Sequence, residues 1–360
     1  RFKMPRIKAA FETFVAKLRL RSSAFNRFLN ANEHWLPDWC EDQPGDPDEH
    51  AFVQFMLERQ WNRLRRYAAK QGIGFIGDVP IFVHADSVDV RRRPELFRLD
   101  RNGNPTVVTG VPPDGFCKNG QLWGHPHYRW ASHRKEQFAW WVDRFRLAIG
   151  RFDAIRVDHF IGFVRLYEVA ANAKTARRGT WRRTPGRELL ETLRRELGPL
   201  PLIAEDLGEV TPAVRRLRDD FDLPGMRIVQ WAFFEDDSPE LPRNHPRRSV
   251  CYPGTHDNDT TRGWYRSLPP DAKVRFRQHT GCQRVADVAW SMIDLCMDSP
   301  AECCIIPMQD VLNLGSAARM NRPGTPRGNW RWRMDAHATA PLARRMRATA
   351  ARRSSMLPRP

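Results

Sequence analysis

Ala154-Ile-Arg-Val-Asp-His159 is a short apolar run that ends in charge. Two later stretches share the design: Pro201-Leu-Ile-Ala-Glu-Asp-Leu-Gly208 and Ser249-Val-Cys-Tyr-Pro-Gly-Thr-His-Asp-Asn258. Runs this short and this apolar read as buried strands. A carboxylate at the C-terminal end of a parallel strand lies where barrel enzymes keep their chemistry. Asp158, Glu205 and Asp257 hold those places. Three such acids suit a carbohydrate site, with a nucleophile, a proton donor and a group that steadies the transition state.

Working outward, the same alternation continues. His50 to Gln71 places Val53, Leu57, Trp61, Leu64 and Ala68 at helical spacing, and Gly72 stops it. Ile73 to Val83 reads as a buried strand entering a loop. Asp100 to Gly110 carries the turn signal Asn102-Gly103. Phe138 to Ile149 predicts a helix and Phe152 to Val157 a strand. Leu189, Leu193 and Leu197 mark a helix ahead of the strand Leu202 to Ala204. Thr211-Pro212 is an N-cap followed by proline at the first helical position. Strands follow at Met226 to Phe233, Arg248 to Tyr252 and Cys303 to Met308, with a helix over Val285 to Met297. Alternating strands and helices imply a parallel sheet. Six strands are fewer than the eight of a closed barrel. We divide the chain into residues 1–48, helical with a loop, residues 49–343, the barrel, and a basic tail, residues 344–360, read as a frayed helix or disordered.

Composition bounds the function. The chain has 360 residues, 41% hydrophobic, enough for one large domain or two smaller ones. No apolar run is long enough to span a bilayer, and no secretory leader pattern is seen. The chain begins at Arg1, which reads as a fragment or a processed form. The seven cysteines are odd in number and include no Cys-x-x-Cys, which points to a reducing, cytoplasmic compartment without a zinc site. The net charge of +17 comes from arginines spread along the chain, with no basic stripe interleaved with aromatics. It is read as charge on solvated faces, not as a nucleic-acid footprint. No phosphate loop or dinucleotide fingerprint appears, so no cofactor is expected.

A wider set of stretches carries a family resemblance. In chain order they include Gly77-Asp-Val-Pro-Ile-Phe-Val83, Gly110-Val-Pro-Pro-Asp114, Gly120-Gln-Leu-Trp-Gly124 and Arg156-Val-Asp-His-Phe160. Then come Ile203-Ala-Glu-Asp-Leu-Gly208, Leu223-Pro-Gly-Met226, Gly254-Thr-His-Asp-Asn-Asp-Thr-Thr261, Ala318-Arg-Met-Asn321 and Gly328-Asn-Trp-Arg-Trp332. The ordered set resembles the 4-alpha-glucanotransferases (amylomaltase, or disproportionating enzyme), glycoside hydrolase relatives of the alpha-amylases.

That resemblance implies a (β/α)8 TIM-type barrel with helical insertions and an alpha-retaining double displacement on maltooligosaccharides and linear alpha-1,4-glucans. Asp158 matches the nucleophile, Glu205 the acid/base and Asp257 the third carboxylate. Retention requires nucleophile and acid/base about 5–5.5 Å apart. Nearby anions are expected to raise the pKa of Glu205. Arg156, two residues before Asp158 on the same strand face, is placed to pair with it. The resemblance also implies substrate contacts from His256, Asp114, Gln121, Trp123 and Asn321. Asp206 neighbours Glu205 on the opposite strand face and cannot share its site. Asp78 reads as structural or supporting, and Trp330 and Trp332 as core. His84, His125, His127 and His133 read as loop histidines.

The chain departs from the family at Gly115, Ile161 and Ala317, where Tyr, Arg and Glu are usual. The family's N-terminal part, with its first barrel strand, is absent, so the barrel is expected to be incomplete. A sheet without its opening strand leaves edges exposed. Two readings of function therefore stand: an active glucan transferase, or an inactive glucan-binding remnant.

Overall fold

Gly77 shows why the first predicted strand forms where it does. A Cβ at this position would lie 2.3 Å from the Phe152 ring, so only glycine lets strand β1 (Ile76–Val79) pack there. The computed structural model describes residues 2–17, 19–113, 117–325, 327–335 and 340–356. It divides into two compact units, Arg1–Leu202 and Ile203–Pro360.

In the first unit, β1 pairs in parallel with β4 (Ala154–Val157), with Asp78 opposite Arg156. Beyond β4, the Ile155 N–H donates to the Pro201 carbonyl at 2.8 Å. Both predicted strands of this unit are present but shorter: Ile73 to Val83 narrows to β1, and Phe152 to Val157 narrows to β4.

A second sheet in this unit escaped the sequence reading. Strands β2 (Val107–Val111), β3 (Gln121–Pro126), β5 (Arg165–Ala170) and β6 (Thr180–Arg183) form an antiparallel sheet in the order β3-β2-β5-β6. The pairing of β2 with β5, Val108 opposite Val169, joins segments distant in sequence, so no local hairpin signal announces it. Gly110 is needed here, since a Cβ would lie 2.5 Å from the Gln121 carbonyl oxygen across the strands. This sheet carries Gln121 and Trp123.

The N-terminal helices, Lys3–Ala16, Ser23–Ala31 and Leu36–Asp42, pack on the helix Pro47–Lys70. Phe11, Phe14, Phe25, Phe28, Phe52 and Phe55 form their shared core. The Phe14 and Phe52 rings are 4.9 Å apart. The long helix starts earlier than His50, at Pro47, where the Asp46 carboxylate accepts the Asp48 N–H. Its buried face also differs from the expected one. Ala51, Phe52, Phe55 and Ala68 are buried, whereas Leu57 and Leu64 are 53% and 47% exposed. The phenylalanine cluster lies to one side of the predicted stripe, and periodicity alone does not say which neighbour a helix meets.

The second unit continues from β7 (Leu202–Ala204). Parallel pairing joins it to β8 (Gly225–Ile228), then β9 (Ser249–Tyr252), then β10 (Cys303–Cys304). The predicted strand Met226 to Phe233 stops at Ile228 and turns into a short 3-10 helix, Val229–Trp231. Thr211 caps the helix Pro212–Asp220 as expected, accepting the Val214 N–H. Residues 344–356, read as part of a frayed helix or disordered tail, belong to the helix Ala340–Met356. Arg345 sits 3.8 Å over the Trp290 ring, and Arg353 is buried against the carbonyls of Met297, Ser299 and Ala301. Charged side chains with long stems and satisfied heads can dock a helix this way, which a composition argument does not see.

Candidate active site

Each predicted strand-end acid sits where its strand ends, and each is half-buried. In the first unit Asp158 follows β4, and its N–H donates to the Val79 carbonyl at 3.0 Å. Arg156 Nη2 donates to Asp158 Oδ1 at 2.8 Å. Arg156 Nη1 donates to both oxygens of Asp78 at 2.9 Å. The guanidinium is thus held between two carboxylates from adjacent strands. Such charge-assisted bonds fix orientation as well as charge.

His159 follows with a left-handed backbone, φ 51°, which non-glycine residues seldom adopt. Its ring meets the Trp123 ring edge-on at 4.9 Å. Trp123 Nε1 in turn donates to Gln121 Oε1 at 3.4 Å. Gln121 and Trp123 are therefore linked through His159 to the backbone beside Asp158. Burial holds the His159 imidazole down to about 4, against the opposing pull of Asp158. The sequence motif contained His159, but no rule of spacing assigned it a part. Asp114 lies outside the described residues.

In the second unit Glu205 follows β7 directly. Asp206 points elsewhere: it is 2% exposed, accepts the Met226 N–H at 2.8 Å and pairs with Arg218 at 2.5 Å. Burial pushes its carboxyl up, while Arg227, the Met226 N–H and Arg218 pull it down. Asp206 therefore ties the end of β7 to β8.

Asp257 lies beyond β9 in a turn fixed by its neighbours. Asn258 Oδ1 accepts both the Thr255 N–H and its hydroxyl at 2.9 Å. Asn321 Nδ2 donates to Asp257 Oδ1 at 2.6 Å, and the Asn321 N–H donates to the His256 carbonyl at 3.1 Å. Arg319 Nη2 donates to the Asp257 carbonyl at 2.6 Å. His256 Nε2 lies 3.5 Å from Asp257 Oδ2. The structure thus brings His256, Asp257 and Asn321 together. Trp330, read as core, is instead exposed, with its ring 5.2 Å from that of His256. Arg319 and Trp330 were present in the quoted motifs, but only the folded chain shows what they touch.

Among the described residues, no group of three or more His, Cys, Asp or Glu is placed to hold a metal ion. His125, His127 and His159 make ring contacts with Phe82, and His84 meets the His125 ring. No helix among the described residues is long and apolar enough to cross a membrane.

Residues 39–339 match the family model of glycoside hydrolase family 77, described as 4-alpha-glucanotransferase. The chain belongs to this family. A 4-alpha-glucanotransferase of Thermus thermophilus is 46% identical over 79% of this chain and 59% of its own length. One of Aquifex aeolicus is 45% identical over 79% of this chain and 59% of its own length. The chain thus spans somewhat over half the length of these family members. The structure of an amylomaltase from Streptococcus agalactiae in complex with acarbose matches 98% of this chain and 78% of its own. That match has a TM-score of 0.91 at 31% identity. An amylomaltase from Corynebacterium glutamicum, at 20% identity and a TM-score of 0.72, shares the fold. The family membership and the incomplete α/β barrel class expected from the sequence are both borne out.

Proposed function

We propose that this chain is a 4-alpha-glucanotransferase that moves alpha-1,4-glucan segments between maltooligosaccharides with retention of configuration. Asp158 attacks the anomeric carbon, and the glycosidic C–O bond breaks as Glu205 gives its proton to the departing oxygen. A covalent glycosyl ester remains on Asp158. Glu205 then takes the proton from an acceptor hydroxyl, which attacks the same carbon and releases Asp158. Asp257 holds sugar hydroxyls and favours the distorted ring of the transition state. Arg156 orients Asp158. His256, Asn321, Gln121, Trp123 and Asp114 contact the glucan. No metal or other cofactor takes part. The cytoplasm is the compartment we assign, with seven free cysteines in support.

The observation that carries this reading is the support built around the acids. Arg156 is clamped between Asp78 and Asp158, and Asn321 holds Asp257, while Asp206 is occupied structurally. Family membership joins it. Incubation with maltotriose tests it. Glucose together with a ladder of longer oligomers is expected. Asp158→Ala and Glu205→Gln should each lower turnover by more than about 10³-fold, since each removes one half of a coupled step. Near-normal turnover in either variant would overturn the assignment, and an unchanged substrate with a folded wild-type chain would leave a glucan-binding remnant.

A further inference from the structure

We infer that Trp330 is an aromatic platform for a glucose unit bound beside Asp257. The inference rests on the glucan reading above and adds a binding residue to it.

Three observations converge on this side chain. First, it is 52% exposed, although an indole is among the costliest surfaces to leave in water. Second, its backbone is left-handed, φ 61°, a conformation that disfavours bulky residues. Strain of this kind persists where surrounding contacts impose it. Those contacts are present. The Trp330 N–H donates to the Met320 carbonyl at 2.7 Å, and Arg333 Nη1 donates to the carbonyls of Trp330 and Trp332 at 2.9 and 2.8 Å. Third, the segment it is pinned to is the one that grips Asp257, through Asn321 and Arg319. The ring is thereby fixed 5.2 Å from His256, tilted 38° to it.

An exposed indole next to a carboxylate and an imidazole has a clear chemical complement. A pyranose ring offers an apolar C–H face and a rim of hydroxyls. The indole takes the face, and His256 and Asp257 lie within reach of the rim. An alpha-1,4-linked glucose unit fits this arrangement, since stacking needs a flat apolar surface and the rim needs donors and acceptors together. The notable loss in the sequence, Gly115 where the family has Tyr, makes a further aromatic surface for sugar the more useful.

The test uses the intact chain and two probes, acarbose and maltotriose, titrated by calorimetry. Trp330→Ala should weaken both about tenfold, the loss expected from one aromatic contact. Trp330→Phe should stay within about threefold of wild type, because it keeps a flat ring. Melting temperatures should be unchanged in both, as the ring is exposed. If Trp330→Ala binds as well as wild type, the platform is overturned while the glucan reading stands. If both variants bind equally weakly and melt lower, the residue is structural and the platform is again overturned. A wild-type chain that binds neither probe overturns the glucan reading and this inference with it.

Discussion

Arg156 and His245 show how single side chains set the chemistry of their surroundings. Arg156 is 14% exposed and spans Asp78 and Asp158, so replacing either carboxylate would leave a half-buried guanidinium reorganised around the other. His245 is buried in the second unit, with Nδ1 2.8 Å from Ser299 Oγ and Nε2 3.0 Å from the Glu240 carbonyl. Burial lowers its pKa to about 4, outweighing the raising contact with Glu240 and joined by the charge of Arg227. An unfolded histidine titrates near 6.5, so the unfolded chain binds the proton first as pH falls. Stability from the neutral form is therefore full above about pH 6.5 and is lost progressively towards pH 4. The loss amounts to about 3 kcal/mol at most. His245→Gln should be less stable at pH 7 yet lose less on acidification. Urea unfolding between pH 7 and 4.5 measures this, and parallel curves for wild type and variant would refute it.

At the scale of elements, the ends of strands carry the candidate chemistry and helices secure them. Thr261 donates both its N–H and its hydroxyl to the buried Asp310, at 2.8 and 2.7 Å, which fixes the start of the helix Thr261–Ser267 just beyond the Asp257 turn. The helix Ala340–Met356 is held by arginine heads together with Leu342 and Met346, which pack on a buried cluster. Arg352 pairs with Asp294 at 2.9 Å, while Arg353 satisfies carbonyls between the helix Val288–Met297 and β10. Arg353→Ala should cost about 1.5–3 kcal/mol, the range for hydrogen bonds to a charged group. Amide exchange across residues 340–356 should rise with it. Unchanged exchange there would mean that Leu342 and Met346, packed beside Trp290, dock the helix alone.

For the whole molecule, charge is the property that composition states most strongly. The formal excess of +17 is what remains after every acidic residue has been counted, so ion pairs redistribute it locally without reducing it. Arg134 makes two bonds of 2.7 Å to Glu188, and Arg248 reaches both Asp222 and Glu302. Paired arginines of this kind add little field, and the remaining excess is spread along the chain instead of being gathered into one stripe. We expect weak, sequence-independent binding to duplex DNA at 50 mM salt that disappears by 200 mM, as counterion release dictates. A sub-micromolar affinity retained at 200 mM would show a nucleic-acid interface that the glucan reading lacks.

The sequence by itself determined the parallel strands and the acids at their ends. A short apolar run closed by charge can be satisfied in few ways, so Leu202–Ala204 was legible to the residue, and Thr211 with Pro212 fixed a helix start. Family membership was legible from the same ordered motifs. Tertiary structure alone decided the antiparallel sheet, because β2 and β5 pair across a long separation that leaves no local mark. It also decided which face of the helix Pro47–Lys70 is buried, since its partners are phenylalanines from other helices. The same holds for Trp330, where a motif residue read as core turned out to face solvent. Periodicity reports that a side chain is apolar and where it repeats. What it meets depends on packing between elements, and that is settled only when the chain has folded.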